Sequence, residues 1–340
     1  MFASSFVAAR RIAIFAVLAW FLWGTSVLAQ SQPTKPAVSW LASSVPDAAR
    51  IEISKIVVTN STAQMRLTTQ GSCAVKDDFL ITARVGICKI ELRLNSTPKF
   101  TTTTSVKIIQ VKKKTELDVL VTASLANSFE KIGQVYMGRY LNVSVRFNFA
   151  GSATLVTQIQ QGAPVDIVAM ADTMNMNKVL SSGDVDKKSV SILARNKLAI
   201  LVRRGNPQNI KTLGDLTRSG LKVVLCDLAQ PCGKYAATVL SKANVLFAVA
   251  SREASASGVV SRIDLGEADA GIAYLTDGLV AGDKVDAVKI SDNINLTAEY
   301  PIGIATKPKT KDKSAIVAFI AMTKSSVGRK ILAENGFILP

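Results

Sequence analysis

Two serines, Ser124 and Ser152, each stand where an apolar run gives way to a helical pattern, and that placement is the chemistry this sequence offers. The step Gly151-Ser152 lies between a strand predicted over 143–149 and a helix predicted from about Ser152. A hydroxyl and several backbone N–H groups without intrahelical partners converge there, and the helix dipole adds roughly half a positive charge. Such a point attracts an anion. The same arrangement occurs earlier, where the apolar run from Glu116 to Thr122 leads to Ser124, heading a helical stretch over 125–140. Two successive βα turns of this kind present two helix N-termini at the carboxyl edge of a parallel sheet, where open α/β sheets bind ligands. The expected ligand is a small oxyanion. A plainer role, as ordinary N-caps of their own helices, stands beside this one for both serines.

The elements that must hold these residues are legible as alternating strands and helices from Glu116 onward. Strands are predicted over 165–169, 198–202, 221–225 and 270–274, and helices over 173–181 and 233–242, with two last helices over 314–324 and 326–335 before Gly336, which suits a C-cap. This alternation argues for a parallel α/β sheet covered on both faces, and about 225 residues of it for two lobes. Strands near 198–203 and 285–290 are the expected crossings, and the segment Tyr300 to Ala305 with the last helices completes the first lobe. Lobe 1 is expected over about 114–198 and 292–340 and lobe 2 over 199–291, with a cleft that shuts by hinge motion.

Composition narrows the chemistry. The chain has 340 residues, 48% of them hydrophobic, and no histidine, which removes the usual general base near neutral pH and the commonest metal ligand. With no nucleophile beside a base and no Gly-x-x-x-x-Gly-Lys loop, an enzyme is not expected, and neither is a cofactor. Lysine and arginine outnumber the acids 41 to 25, for a net charge of +16. The basic residues are scattered apart from Lys112 to Lys114 and the Lys307 to Lys313 stretch, without interleaved aromatics, so nucleic acid is not the expected partner. A solvated basic face toward anionic lipid or cell-wall polymer is.

Residues 1–29 read as a secretory signal: Arg10-Arg11, an uncharged run from Ile12 to Val27, and Val27-Leu28-Ala29 placed for cleavage. The uncharged run is close to the lower limit for spanning a bilayer, so a retained tether to the outer face of the membrane stays open. Export makes disulfides reasonable for the four cysteines, and pairing within each region, Cys73 with Cys88 and Cys226 with Cys232, is the simplest of three connectivities; buried free thiols are the alternative. Residues 30–48, rich in Ser, Pro and Ala, read as a linker, and residues 49–113 as a small all-β domain of short β-branched runs. Its segment from Gly71-Ser-Cys73 through Gly86-Ile-Cys88 to Ile108 resembles the immunoglobulin-like modules of bacterial surface proteins, with a role in spacing or adhesion.

Five further features occur together and in order: Thr122-Ala-Ser-Leu-Ala-Asn-Ser-Phe129, Gly151-Ser152 running into Gln158-Ile-Gln-Gln-Gly-Ala-Pro-Val-Asp166, the loop Cys226 to Gly233, Gly266-Glu-Ala-Asp-Ala-Gly-Ile-Ala-Tyr274, and Tyr300-Pro301. In these the chain, over 116–340, resembles the molybdate-binding proteins of ABC uptake systems. The resemblance implies a two-lobed periplasmic-binding-protein fold, a membrane permease as partner, a monomer, and molybdate or tungstate as ligand. It further implies that the anion is held by Ser124 and Ser152 from the first lobe and by Cys232, Ala256 and Tyr274 from the second, through hydroxyls of Ser124, Ser152 and Tyr274 and backbone N–H groups. The family usually has alanine at the position of Cys232 and lacks Cys226, so a short disulfide here would stiffen the ligand loop; a redox-sensitive thiol is the alternative. Asp166 and Asp172 read as turn residues and Lys234 as solvent-facing.

Neutral donors suffice for such a ligand. About seven hydrogen bonds to a charged group, at about 1.5–3 kcal/mol each, exceed the roughly 8–12 kcal/mol of a micromolar to nanomolar complex. Phosphate keeps a proton near neutral pH and calls for a carboxylate acceptor, and none of the five positions is acidic. Sulfate satisfies the same donors. An adhesion protein with a ligand-sensing α/β part is the competing reading.

Overall fold

Residues 32–340 are described by the structure, a computed structural model, and the export signal expected over 1–29 lies outside them. The first strands are Val38–Trp40 (β1), Ser44–Pro46 (β2), Arg50–Glu52 (β3), Val57–Thr59 (β4), Met65–Gly71 (β5), Cys73–Lys76 (β6), Phe79–Thr82 (β7), Gly86–Leu94 (β8) and Thr103–Lys112 (β9). They form a four-stranded sheet in the order β2-β9-β8-β5, a three-stranded sheet β3-β7-β6, and the pair β1-β4. In β8 the two-residue period of a strand buries Cys88, Ile90, Leu92 and Leu94 and exposes Ile87, Lys89, Glu91 and Arg93. The Cys73–Cys88 disulfide joins β6 to β8, as the spacing suggested.

The linker expected over 30–48 is, from residue 32 on, part of this unit. β1 pairs with β4, β2 pairs in parallel with β9, and Ala42 and Val45 are buried in its core. A three-residue strand shows no alternation to read, and the partners of β2 lie more than sixty positions downstream. The unit is seated on the rest of the chain. The Ser43 N–H donates to the Arg139 carbonyl at 2.7 Å, the Leu141 N–H to the Ser44 carbonyl at 2.9 Å, and Ser44 is hydrogen-bonded to Asn142. Only Lys113 and Lys114 separate β9 from the next strand.

That next strand opens an α/β unit with strands Thr115–Thr122 (β10), Val143–Ala150 (β11), Ile167–Ala169 (β12), Ser191–Arg203 (β13), Val223–Cys226 (β14), Val249–Glu253 (β15), Ala270–Tyr274 (β16), Val285–Lys289 (β17) and Thr297–Ile304 (β18). Its helices are Ala126–Arg139 (α1), Ser152–Gln160 (α2), Thr173–Ser181 (α3), Pro231–Lys242 (α4), Ala256–Asp264 (α5), Leu275–Ala281 (α6), Lys313–Lys324 (α7) and Ser326–Glu334 (α8). The strand order is β11-β10-β12-β18-β13-β16-β14-β15, with β17 also on β13. Strand β10 is buried on both faces, as a covered parallel sheet requires: Val119 and Val121 pack in the same core as Phe129 of α1 and Phe319 of α7, and Leu120 packs with Leu155 of α2 and Met176 of α3.

The two lobes share β13. Its residues 191–197 pair with β18, and its residues 198–203 pair with β16 and β17. The expected return crossing over 285–290 is therefore corrected: β17 stays in lobe 2 beside the second half of β13, and β18, which also pairs with β12, brings the chain back. Both segments are short strands of mixed polarity, and nothing local distinguishes a strand that returns from one that folds back.

Candidate functional site

Strands β10 and β11 run parallel to each other, as do β14 and β16, but three antiparallel pairings lie between the two pairs, so their C-terminal ends, each followed by a turn or helix, come from opposite directions to one cleft. Ser124 lies in a short 3-10 turn over 123–125, not at the start of α1. Its hydroxyl is 3.1 Å from the Tyr300 hydroxyl on β18. Ser152 is the first residue of α2 and fully buried; its Oγ accepts the Ala171 N–H at 3.0 Å and its hydrogen is directed to Thr122 Oγ1 at 3.4 Å. Neither serine caps a helix through its side chain, since the cap positions are Thr122 for the 3-10 turn, Leu125 for α1 and Gly151 for α2.

Lobe 2 brings the other three positions to the same place. Cys232 is in the first turn of α4, held to Cys226 at the end of β14 by the expected disulfide. Ala256 opens α5, whose cap residue Ser255 accepts the Gly258 N–H at 3.2 Å. Tyr274 ends β16; its N–H donates to Asp277 Oδ2 at 3.1 Å, and its buried hydroxyl has no hydrogen-bond partner among the described residues. Ser124, Ser152, Cys232, Ala256 and Tyr274 all line one cavity, with Thr122, Gly151 and Gln230 among its other walls.

The cavity is small: about 10 Å³ is open to the centre of a water-sized sphere. That is far below the roughly 300–1,000 Å³ of pockets that hold organic ligands and leaves room for a single small group. No lining residue is charged. The helix N-termini of α2, α4 and α5 supply its positive potential. Burial pushes the Tyr274 and Tyr300 phenols well above their ordinary range, so both stay protonated as donors. Behind Tyr274, burial raises the Asp277 carboxyl to about 7, against the pull of the Tyr274 N–H. Among the described residues no cluster of side chains suits a metal ion.

The acids set aside above are structural. Asp166 accepts the Asp118 and Thr310 N–H groups, and Asp172 caps α3. Lys234, expected in solvent, is half-buried with its Nζ 3.2 Å from Met174 Sδ. Sequence reasoning passed over Thr122, Gln230 and the Tyr300 hydroxyl as parts of the site. For Gln230 a signal existed, a polar residue directly before a proline that starts a helix.

Two half-sheets joined by crossing strands, with donors from both halves around a void one anion wide, define a solute-binding protein that shuts on its ligand. Residues 117–338 match the family model of bacterial extracellular solute-binding proteins, and the chain belongs to that family. The molybdate-binding protein ModA of Mycobacterium tuberculosis is 34% identical over 222 residues, covering 65% of this chain and 84% of that protein. ModA of Escherichia coli is 26% identical over 234 residues, 66% of this chain and 89% of that protein. Among solved structures, the periplasmic molybdate-binding protein of Azotobacter vinelandii superposes with a TM-score of 0.58 at 19% identity, over 66% of this chain and 99% of that one. The sulfate-binding protein SubI of Mycobacterium tuberculosis gives 0.58 at 19%, over 66% and 86%. The last two are likenesses of fold.

Proposed function

We propose that this protein captures molybdate or tungstate outside the cytoplasm and delivers it to an ABC-type membrane permease, as a carrier without catalytic activity. The observation that carries this reading is the convergence of Ser124, Ser152, Cys232, Ala256 and Tyr274 on one uncharged, anion-sized cavity. In that arrangement the Ser124, Ser152 and Tyr274 hydroxyls and the Cys232 and Ala256 N–H groups donate to the oxyanion. Ser152 is oriented for it: its oxygen accepts the Ala171 N–H, and on binding its hydrogen turns from Thr122 Oγ1, 3.4 Å away, to the ligand. A fully ionised oxyanion needs donors alone, and the absence of an acceptor carboxylate in the lining disfavours protonated phosphate. The names borne by the relatives at 34% and 26% identity support the choice of molybdate. The N-terminal β unit acts as a spacer or adhesive module.

A thermal-shift and calorimetric series with molybdate, tungstate, sulfate and phosphate tests the reading. A ligand at 100 times its Kd stabilises by about 2.7 kcal/mol. A clear shift with molybdate and tungstate and little with the other two is the expected result. A stronger response to sulfate would reassign the ligand, and no response to any oxyanion would leave adhesion as the function.

A further inference from the structure

Gln230 sits at the cap position of α4, where a side chain would ordinarily bond its own helix, yet it makes no such bond. Its carboxamide, only 6% exposed, directs both ends to the opposite lobe. Oε1 accepts the Ala153 N–H at 3.3 Å and Nε2 donates to Thr154 Oγ1 at 3.4 Å, both on α2. The approach is close enough that a Cβ on Gly151 would fall 2.6 Å from Gln230 Cδ. The backbone of Gln230 is fixed from its own side. Its N–H donates to the Asp227 carbonyl at 2.9 Å, its carbonyl accepts the Lys234 N–H at 3.1 Å, and the Cys226–Cys232 disulfide closes the loop around it.

We propose that Gln230 is the latch of the closed state, a positioning residue that ties the N-terminus of α4 to that of α2 and thereby sets how long the bound anion stays. The proposal deepens the oxyanion-binding reading and rests on it. A carboxamide suits the task because it offers donors at one end and an acceptor at the other, matching one N–H and one hydroxyl without adding charge beside an anion. Opening the lobes breaks both bonds and no bond within lobe 2.

The test is stopped-flow binding of molybdate to the wild-type chain, Gln230→Ala, Thr154→Val and the double variant. Two neutral hydrogen bonds of this length correspond to about a tenfold change in an equilibrium constant. Dissociation from Gln230→Ala is therefore expected to be about tenfold faster and association to change less than twofold. The molybdate-to-sulfate preference and the ligand-free melting temperature should hold. Thr154→Val, which alters only the lobe 1 partner, should shift dissociation in the same direction, with the two effects less than additive. Unchanged dissociation in a Gln230→Ala chain that still binds molybdate would overturn the latch alone. So would a changed oxyanion preference with Thr154→Val silent, since that pattern belongs to a direct ligand. A wild-type chain that binds no oxyanion would take down the functional reading first and the latch with it.

Discussion

Gly151→Ala tests whether the site works by closure. The residue has an ordinary extended backbone, φ −64° and ψ 145°, so alanine costs nothing conformationally. What it meets is the other lobe: the added Cβ would lie 2.6 Å from Gln230 Cδ and 2.7 Å from the Ala254 carbonyl oxygen. Against an ordinary contact of about 3.4 Å the second figure is short by 0.7 Å (3.4 − 2.7), and the offending atom is backbone. A side chain could swing aside; the carbonyl yields only if the lobes part. Overpacking of this kind costs about 1–3 kcal/mol, which here falls on the closed state alone and predicts an affinity loss of about 5- to 150-fold. Calorimetric titration with molybdate measures the loss, and thermal melting without ligand should stay within about 1 kcal/mol of wild type. A variant that binds within twofold of wild type would refute the reasoning, because the donors of lobes 1 and 2 would then not need the spacing seen here.

Tyr274→Phe removes a buried hydroxyl that has no partner among the described residues, so ligand-free stability should be unchanged or higher while molybdate affinity drops by about 10- to 150-fold, the worth of a hydrogen bond to a charged group; calorimetry and melting on the same sample separate the two. Asp277→Asn should stabilise the protein increasingly as pH rises. The folded carboxyl is raised from 3.8 to about 7, so the native state holds the extra proton, and wild-type stability is lost between those values as pH increases. Urea unfolding at pH 5 and pH 8 should show the variant gaining more at pH 8, by up to about 3 kcal/mol, since the two pH units from pH 5 to the folded value of about 7 count at about 1.4 kcal/mol each; an equal gain at both would contradict the assignment. Replacing Cys73 and Cys88 by alanine opens a loop of 15 residues and should cost the β unit about 3 kcal/mol, read by denaturant unfolding with molybdate affinity unaltered.

The proposed donor positions were legible as neighbours because each lies at a switch from strand to turn or helix, and such switches leave apolar runs, serines and glycines in recognisable order. Ser152, Ala256 and Tyr274 needed only that local grammar, together with the family likeness. The short turn around Ser124 did not show, since a 3-10 start and an α start share the same residues. Gln230 and Tyr300 were hidden for a different reason: their bonds to Thr154 and Ser124 join positions 76 and 176 residues apart, and no spacing along the chain encodes them. The same holds for the fold. The burial of β10 on both faces follows from its composition, whereas the choice of β18 over β17 as the returning strand lies in long-range pairing, of β18 with the first half of β13 and of β17 with the second.

The seat of the β unit decides which half of the clamp travels. Ser43 and Ser44 hold the end of α1 and the turn after it, Lys112 Nζ donates to Ser314 Oγ at 2.9 Å, and the connector is two residues long, so the leading sheets and lobe 1 move as one chassis. The swing then belongs to the residues between the two crossing strands. Whatever holds the β unit therefore also fixes the bearing of lobe 1 and of the half of the cleft that lobe 1 carries.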